Sequence, residues 1–303
     1  MTARPSGERS ALAAGLACYL MWGALPLLLR ASGEAGAGAW EIVAWRTLWS
    51  TPFALILVLM TGRLPSVWAA FRDRGALRLL LLSSALIGIN WSVYVYSVDT
   101  HRTLQASFGY YINPLMNVAA GALLFREKMD RTGWIAVGLA LVGVLVQAVG
   151  VGGLPWISIT LAVSFCAYAV VRKRVAVDAQ TGLMVECLVL MWPAAAYLAW
   201  LAPTGHMAFG TSMKADLLLA AGGLATVLPL VAFTYSARNL PLTTIGFMQF
   251  LSPTIQFFVG VFAFGESLTP LRLLSFVFIW GGAAVFVAGT FAASRRRFAT
   301  VVA

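Results

Sequence analysis

The sequence predicts an all-α polytopic membrane protein of ten transmembrane helices, arranged as two inverted five-helix repeats. Three observations predict it. Hydrophobic residues make up 60% of the chain and charged residues only 11%, whereas a soluble domain carries about 25% charged residues. Ten apolar stretches recur, each near the ~20 residues that a helix needs to cross a ~30 Å hydrocarbon core. The second five stretches repeat the first five at one ungapped shift, the 139 residues from Pro114 to Pro253.

The spans run over 10–30, 40–61, 77–98, 104–125, 131–150, 154–171, 182–202, 215–237, 243–264 and 270–293. Most of the loops between them are short, so no soluble domain is inserted. Basic residues sort to alternate loops. Arg4 and Arg9 precede span 1, and Arg63, Arg72, Arg74 and Arg78 follow span 2. Arg126, Lys128 and Arg131 follow span 4, Arg172, Lys173 and Arg174 follow span 6, and Arg238 follows span 8. Arg295, Arg296 and Arg297 follow span 10, while the opposite side holds only Arg30, Arg102, Lys214 and Arg272. The positive-inside rule then places both termini in the cytoplasm, as an even number of spans requires. The net charge of +10 is thus a membrane-flanking charge, and no basic–aromatic patch points to nucleic acid. Arg4, Arg9 and the small residues Ala35–Ala39 mimic a secretory signal, but the apolar run is long for a signal core. Cleavage there would also leave an unpaired nine spans.

The repeat rests on identities at that single shift. Tyr96-Ser97 falls on Tyr235-Ser236, Phe108 on Phe247, Gly121 on Gly260, Phe125 on Phe264 and Glu127 on Glu266. Gly143 falls on Gly282 and Gly150 on Gly289; Asn113 meets Ser252 and Asn117 meets Gln256. Five spans is an odd number, so the two halves, 1–150 and 151–303, enter the membrane in opposite senses. Inverted repeats of this kind build alternating-access transporters.

The residues also resemble a known family. Trp22-Gly23 with Pro26, Glu41 with Trp45-Arg46 and Trp49-Ser50, and Asn90-Trp91-Ser92-Val93-Tyr94 carry the likeness in the first three spans. The stretch Gln105 to Leu115 carries it most specifically, followed by Ser164-Phe165, Tyr168, Arg172-Lys173 and Glu186. Together they resemble the EamA branch of the drug/metabolite transporter superfamily, and within it the RarD-type permeases. The resemblance implies two EamA-type five-helix units, a central cavity, a bacterial cytoplasmic membrane and movement of a small metabolite. It implies no particular substrate.

Charge inside hydrocarbon costs ~3 kcal/mol or more, so each buried polar group needs a reason. Arg46 lies six residues into span 2, ~9 Å below the outer boundary at 1.5 Å per residue. A cavity-facing guanidinium binds a carboxylate or phosphate through parallel hydrogen bonds; the alternatives are an ion pair with Glu41 or snorkelling to headgroups. Glu186, near the inner end of span 7, is the candidate proton carrier, or else an interfacial glutamate beside Arg172–Arg174. Asn90, Tyr94, Asn113, Asn117, Gln249 and Gln256 are candidate substrate contacts or interhelical glue. Pro114 and Pro253 each free a backbone carbonyl near mid-span, which is tolerated where it lines a cavity; they are the candidate gating breaks. Trp22, Trp45, Trp91 and Tyr110 are candidate cavity aromatics. Gly133, Gly138, Gly143, Gly281, Gly282 and Gly289 are expected at close helix contacts.

Cys18, Cys166 and Cys187 lie inside spans with no paired spacing, and His101 and His206 sit in separate loops. No metal, cofactor or disulfide is expected from them, and no HExxH, Gly-x-Ser-x-Gly or Walker A pattern occurs. The expectation is a secondary transporter, monomeric or homodimeric, whose partners are a small-molecule substrate and the lipid bilayer. A non-transporting structural or regulatory membrane protein, or an intramembrane enzyme, remains the alternative.

Overall fold

The computed structural model describes residues 5–124, 131–240 and 248–302. Arg4, Phe125, Arg126, Glu127, Lys128 and Phe247, used above for charge and repeat, lie outside the described residues. Within them the secondary structure is helical throughout, without a strand. The helices are α1 (Pro5–Glu34), α2 (Ala39–Met60), α3 (Leu64–Arg72), α4 (Arg74–Asp99), α5 (Thr103–Leu124) and α6 (Arg131–Val151). Then follow α7 (Trp156–Arg174), α8 (Ala179–Leu201), α9 (Met213–Asn239), α10 (Leu251–Phe258) and α11 (Pro270–Val302). Among the described residues, eight helices are long and apolar enough to cross a membrane: α1, α2, α4, α6, α7, α8, α9 and α11. The 22-residue α5 and the shorter apolar stretch Leu251–Ala263 occupy the places of the expected fourth and ninth spans. Large side chains such as Leu145, Trp192 and Phe262 stand exposed, which lipid solvates and water would not.

Local chemistry sets the helix ends. The Asp73 carboxylate accepts the Gly75 and Ala76 N–H groups at the start of α4. Asp178 accepts those of Gln180 and Thr181 at the start of α8, and Ser212 caps α9 through Ala215. Each side-chain oxygen satisfies donors that the first turn leaves free.

Two elements differ from expectation. The loop after span 2 contains a helix, α3, whose Pro65 sits in the first turn, where a missing N–H costs nothing. At nine residues it is too short to register as an apolar span. The ninth span is expected as one helix over 243–264; residues 243–247 lie outside the described residues, and in the described part α10 runs from Leu251 to Phe258 and then widens to a π turn over Val259–Ala263. There the Phe264 N–H donates to the Val259 carbonyl. Such turns occur mostly as single insertions at functional sites.

The long helices interleave. α1 packs on α9 and α10, α2 on α8 and α9, α4 on α7 and α8, α5 on α7, and α6 on α11. Glycines permit the closest approaches. A Cβ on Gly223 of α9 would lie 2.4 Å from the Trp49 carbonyl carbon of α2, and one on Gly109 2.7 Å from the Ser158 carbonyl oxygen. Gly143, Gly282 and Gly289 join α6 and α11 in the same way, but Gly138 and Gly281 face open space, so those two expectations of close contact are corrected. At the end of the bundle carrying the α1–α2 turn, one apolar cluster draws on both halves of the chain. Leu25, Leu29, Val95 and Val98 meet Ile157, Leu161, Ala208 and Leu219 there. Toward the opposite end separate apolar clusters form, one around Val58, Val67 and Leu183 and another around Ala11, Tyr19 and Met248.

Candidate functional site

Arg46 sits on α2 with only 4% of its surface exposed. Its Nε donates to Thr226 Oγ1 of α9 at 2.8 Å, and its stem lies against Gly222 one turn earlier on α9. Its guanidinium carbon stands 4.9 Å from the centre of the Trp91 ring, a cation–π contact. The Tyr94 and Tyr110 hydroxyls lie within electrostatic range of it. Nη1 is buried without a hydrogen-bond partner, and among the described residues no carboxylate pairs with Arg46. The expected alternative partner, Glu41, is engaged elsewhere. Its two oxygens accept the N–H groups of Ala208 and Phe209 at 3.0 Å. The Glu41–Arg46 ion pair is thus overturned: a carboxylate with two backbone donors at hand has no need of a guanidinium five residues along the helix.

Around Arg46 the structure gathers most of the α4 and α5 candidates. Tyr110 donates to Asn90 Oδ1 at 3.0 Å, and Asn90 Nδ2 donates to the Leu161 carbonyl and Ser164 Oγ of α7. Tyr94 meets Tyr110 edge-on at 5.4 Å between ring centres, and its hydroxyl is buried without a partner. Asn90 is therefore held by three bonds as a fixed support, while Arg46 Nη1 and the Tyr94 hydroxyl have hydrogen-bonding capacity left over. On α5, Asn113 and Asn117 follow Tyr110 at three and seven residues, so they share its face. Both have a buried Oδ1 without a partner. At 1.5 Å per residue this polar stripe runs ~10 Å along the helix from Tyr110.

Gln256 and Trp22 form a separate group. Gln256 Nε2 donates to the Trp22 carbonyl and to Ser252 Oγ, and its Oε1 has no partner. Trp22 packs against Tyr19 and Phe233. Gln249 is half-buried in the turn before α10. Trp45 stands apart from both groups, stacked on Phe209 with ring centres 4.0 Å apart. Pro114 lies within α5, which stays helical from Thr103 to Leu124. Pro253 lies in the first turn of α10, and its carbonyl accepts the Ser107 hydroxyl of α5 at 2.7 Å.

Glu186, 1% exposed on α8, is enclosed by donors. Ser83 Oγ of α4 reaches Oε1 at 2.6 Å and the Tyr168 hydroxyl of α7 reaches Oε2 at 3.1 Å. Arg172 Nε lies 3.8 Å from Oε1. Arg172 in turn rests on Gly182, where any Cβ would overlap the guanidinium. Thr226, Ser83 and Gly222 are the functional neighbours that sequence reasoning missed. A lone threonine, serine or glycine in an apolar span looks like ordinary interhelical packing, so their only signal is spatial.

The comparisons agree with this architecture. The sequence profile of the EamA-like transporter family matches residues 9–148. An uncharacterised transporter of Vibrio cholerae is 38% identical over 288 residues, 94% of each chain. Protein RarD of Escherichia coli is 37% identical over 289 residues, 95% of this chain and 97% of its own. One solved crystal structure superposes with a TM-score of 0.63 at 18% identity, over 95% of this chain and 98% of its own; at that identity the likeness is one of fold. Identity above a third over nearly the full length of both chains, on a matching helical frame, makes this chain a multi-pass membrane protein of the EamA-like transporter family, of the RarD type.

Proposed function

We propose that the chain is a ten-span carrier that moves a small anionic metabolite across the bacterial cytoplasmic membrane by alternating access, with Arg46 holding the anionic group. The carrying observation is the Arg46 guanidinium. It is buried, one nitrogen has no partner, and among the described residues no carboxylate balances it. A buried, unpaired charge is costly, and a ligand carboxylate relieves that cost through charge-assisted bonds. The Tyr94 hydroxyl adds a further donor, and Asn113, Asn117 and Gln256 offer polar atoms along the path from that site.

Two features support the inverted-repeat, alternating-access part of the proposal. Helix partnerships come in matched sets if α1, α2, α4, α5 and α6 correspond to α7, α8, α9, α10 and α11. The α1–α9 contact answers to α7–α4, α2–α9 to α8–α4, and α5–α7 to α10–α1. The end bearing the α1–α2 turn is closed by contacts that cross between the halves. Glu41 holds Ala208 and Phe209, and Glu266 accepts the Thr103 and Leu104 N–H groups at the start of α5. In the orientation set by the basic loops, with both termini cytoplasmic, this closed end faces outward. Glu186 is the proposed proton-coupling residue. Its bonds to Ser83, Tyr168 and Arg172 would have to rearrange for a proton to be gained.

The test is uptake into proteoliposomes from a mixed pool of organic acids, amino acids and drugs, read by mass spectrometry with and without an inward-acid pH gradient. A compound accumulated by the wild type and not by Arg46→Ala supports the proposal. Equal uptake by both proteins removes Arg46 as the anchor.

A further inference from the structure

Away from Arg46, the helix absent from the sequence expectation, α3, presents two apolar faces. Val67 and Ala70 on one face are buried in a cluster with Leu80 of α4 and Leu183 of α8. The other face is apolar as well and is uncovered. Trp68 is 62% exposed and Leu64 37%, beside Met60 at 81% at the end of α2. Leu64, Trp68 and Arg72 follow one another at four-residue spacing, so they line one side of the helix. Together with Pro65, Ala69 and Asp73 they border a shallow, open groove.

Charge identifies what the groove takes. Arg72, Arg74 and Arg78 are exposed, and no ion pair among the described residues involves them. Arg63 is directed away, toward Asp178 at 3.7 Å. The one acid at the groove, Asp73, has its Oδ1 committed to two backbone N–H groups of α4. A tryptophan at the end of a span sits at headgroup depth, and guanidinium groups bind phosphate oxygens in pairs. We propose that α3 is a docking shelf for an anionic phospholipid. Trp68 and Leu64 would enter the headgroup–acyl boundary, while Arg72 and Arg74 hold the phosphate. This places α3 in the class of interfacial amphipathic helices and does not depend on the transported substrate.

The experiment uses the full chain reconstituted in phosphatidylcholine vesicles that contain a minor fraction of chain-brominated lipid. The emission of wild type minus that of Trp68→Phe isolates Trp68 from the other tryptophans of the 11 in the chain. Brominated phosphatidylglycerol should quench this difference signal more strongly than brominated phosphatidylcholine at the same fraction. The preference should fall about fivefold for each arginine removed in Arg72→Gln and Arg74→Gln, since a basic residue near an anionic surface contributes about that much. Added inorganic phosphate should leave it unchanged. Equal quenching by the two lipids overturns the proposal, as does a preference that survives in the double variant. Displacement by inorganic phosphate assigns the groove to a free anion and also overturns it. The comparison of the two lipids on the unmutated arginines is decisive even if the double variant folds poorly.

Discussion

Arg46 is the residue on which the proposed activity depends. Truncating one partner of a buried charged hydrogen bond costs about 2–5 kcal/mol, so Arg46→Ala should lower substrate affinity by ~30-fold or more, with insertion and folding intact. Arg46→Lys should restore little, because an ammonium cannot keep the planar bond to Thr226 Oγ1 and present a second donor together. Equilibrium binding of the substrate found by the uptake screen reads both. Glu186 makes a different prediction. Glu186→Gln should abolish any response of uptake to a pH gradient, and a variant still driven by that gradient would exclude Glu186 as sole proton carrier. Asp178, outside the spans, carries a pH-dependent part of stability. Burial alone would raise its carboxyl, but the bonds from Thr181, the nearby Arg63 and the Gln180 N–H outweigh it and hold it below the usual carboxylate range. A folded value below the unfolded one stabilises above the unfolded value and is lost as pH falls through the folded one. Thermal unfolding in acid should therefore show a smaller loss for Asp178→Asn than for wild type.

Some helix contacts in this protein rest on close backbone approach at glycine. Gly223 and Gly138 make opposite predictions from the same residue type. At Gly223 a methyl group would press on the Trp49 backbone, and Gly223→Ala should destabilise by about 1–3 kcal/mol. At Gly138 a Cβ meets nothing within 4 Å, and Gly138→Ala should stabilise α6 by about 0.5–1 kcal/mol through helix propensity. Unfolding midpoints in one detergent decide both. The irregular element is the π turn after α10, followed by Gly265 at φ 63° and then Glu266. The sequence offers Pro114 and Pro253 as helix breaks; α5 stays helical through Pro114, and Pro253 lies in the first turn of α10, directly after the turn at Gln249 and Phe250.

Glu41 and Glu266 each hold backbone donors distant in sequence, those of Ala208 and Phe209 and those of Thr103 and Leu104, and in the proposed alternating-access cycle these two clasps close the outward end. Glu266 also meets the positive end of the α5 dipole. Weakening either clasp should favour opening of that end. A cysteine introduced at Leu29, in the apolar seal, should react about fivefold faster with an impermeant maleimide in Glu41→Gln or Glu266→Gln, the ratio expected when a charge-assisted bond becomes a neutral one. The three native cysteines are buried and should contribute little background. Unchanged labelling would remove the clasps from the gate. The sequence by itself determined the membrane class, the helical content and the family, and it singled out Arg46 as a candidate. Apolar run length, loop charge and a charged residue in hydrocarbon are properties of the chain taken in order. Only the tertiary structure decided that Arg46 turns to Thr226 rather than Glu41, that Trp45 leaves the central group for Phe209, and that Glu186 lies within a set of donors from α4 and α7. The Arg46–Thr226, Trp45–Phe209 and Glu186–Ser83 pairings join residues more than 100 positions apart, and no local periodicity records which distant side chain a packed helix will meet.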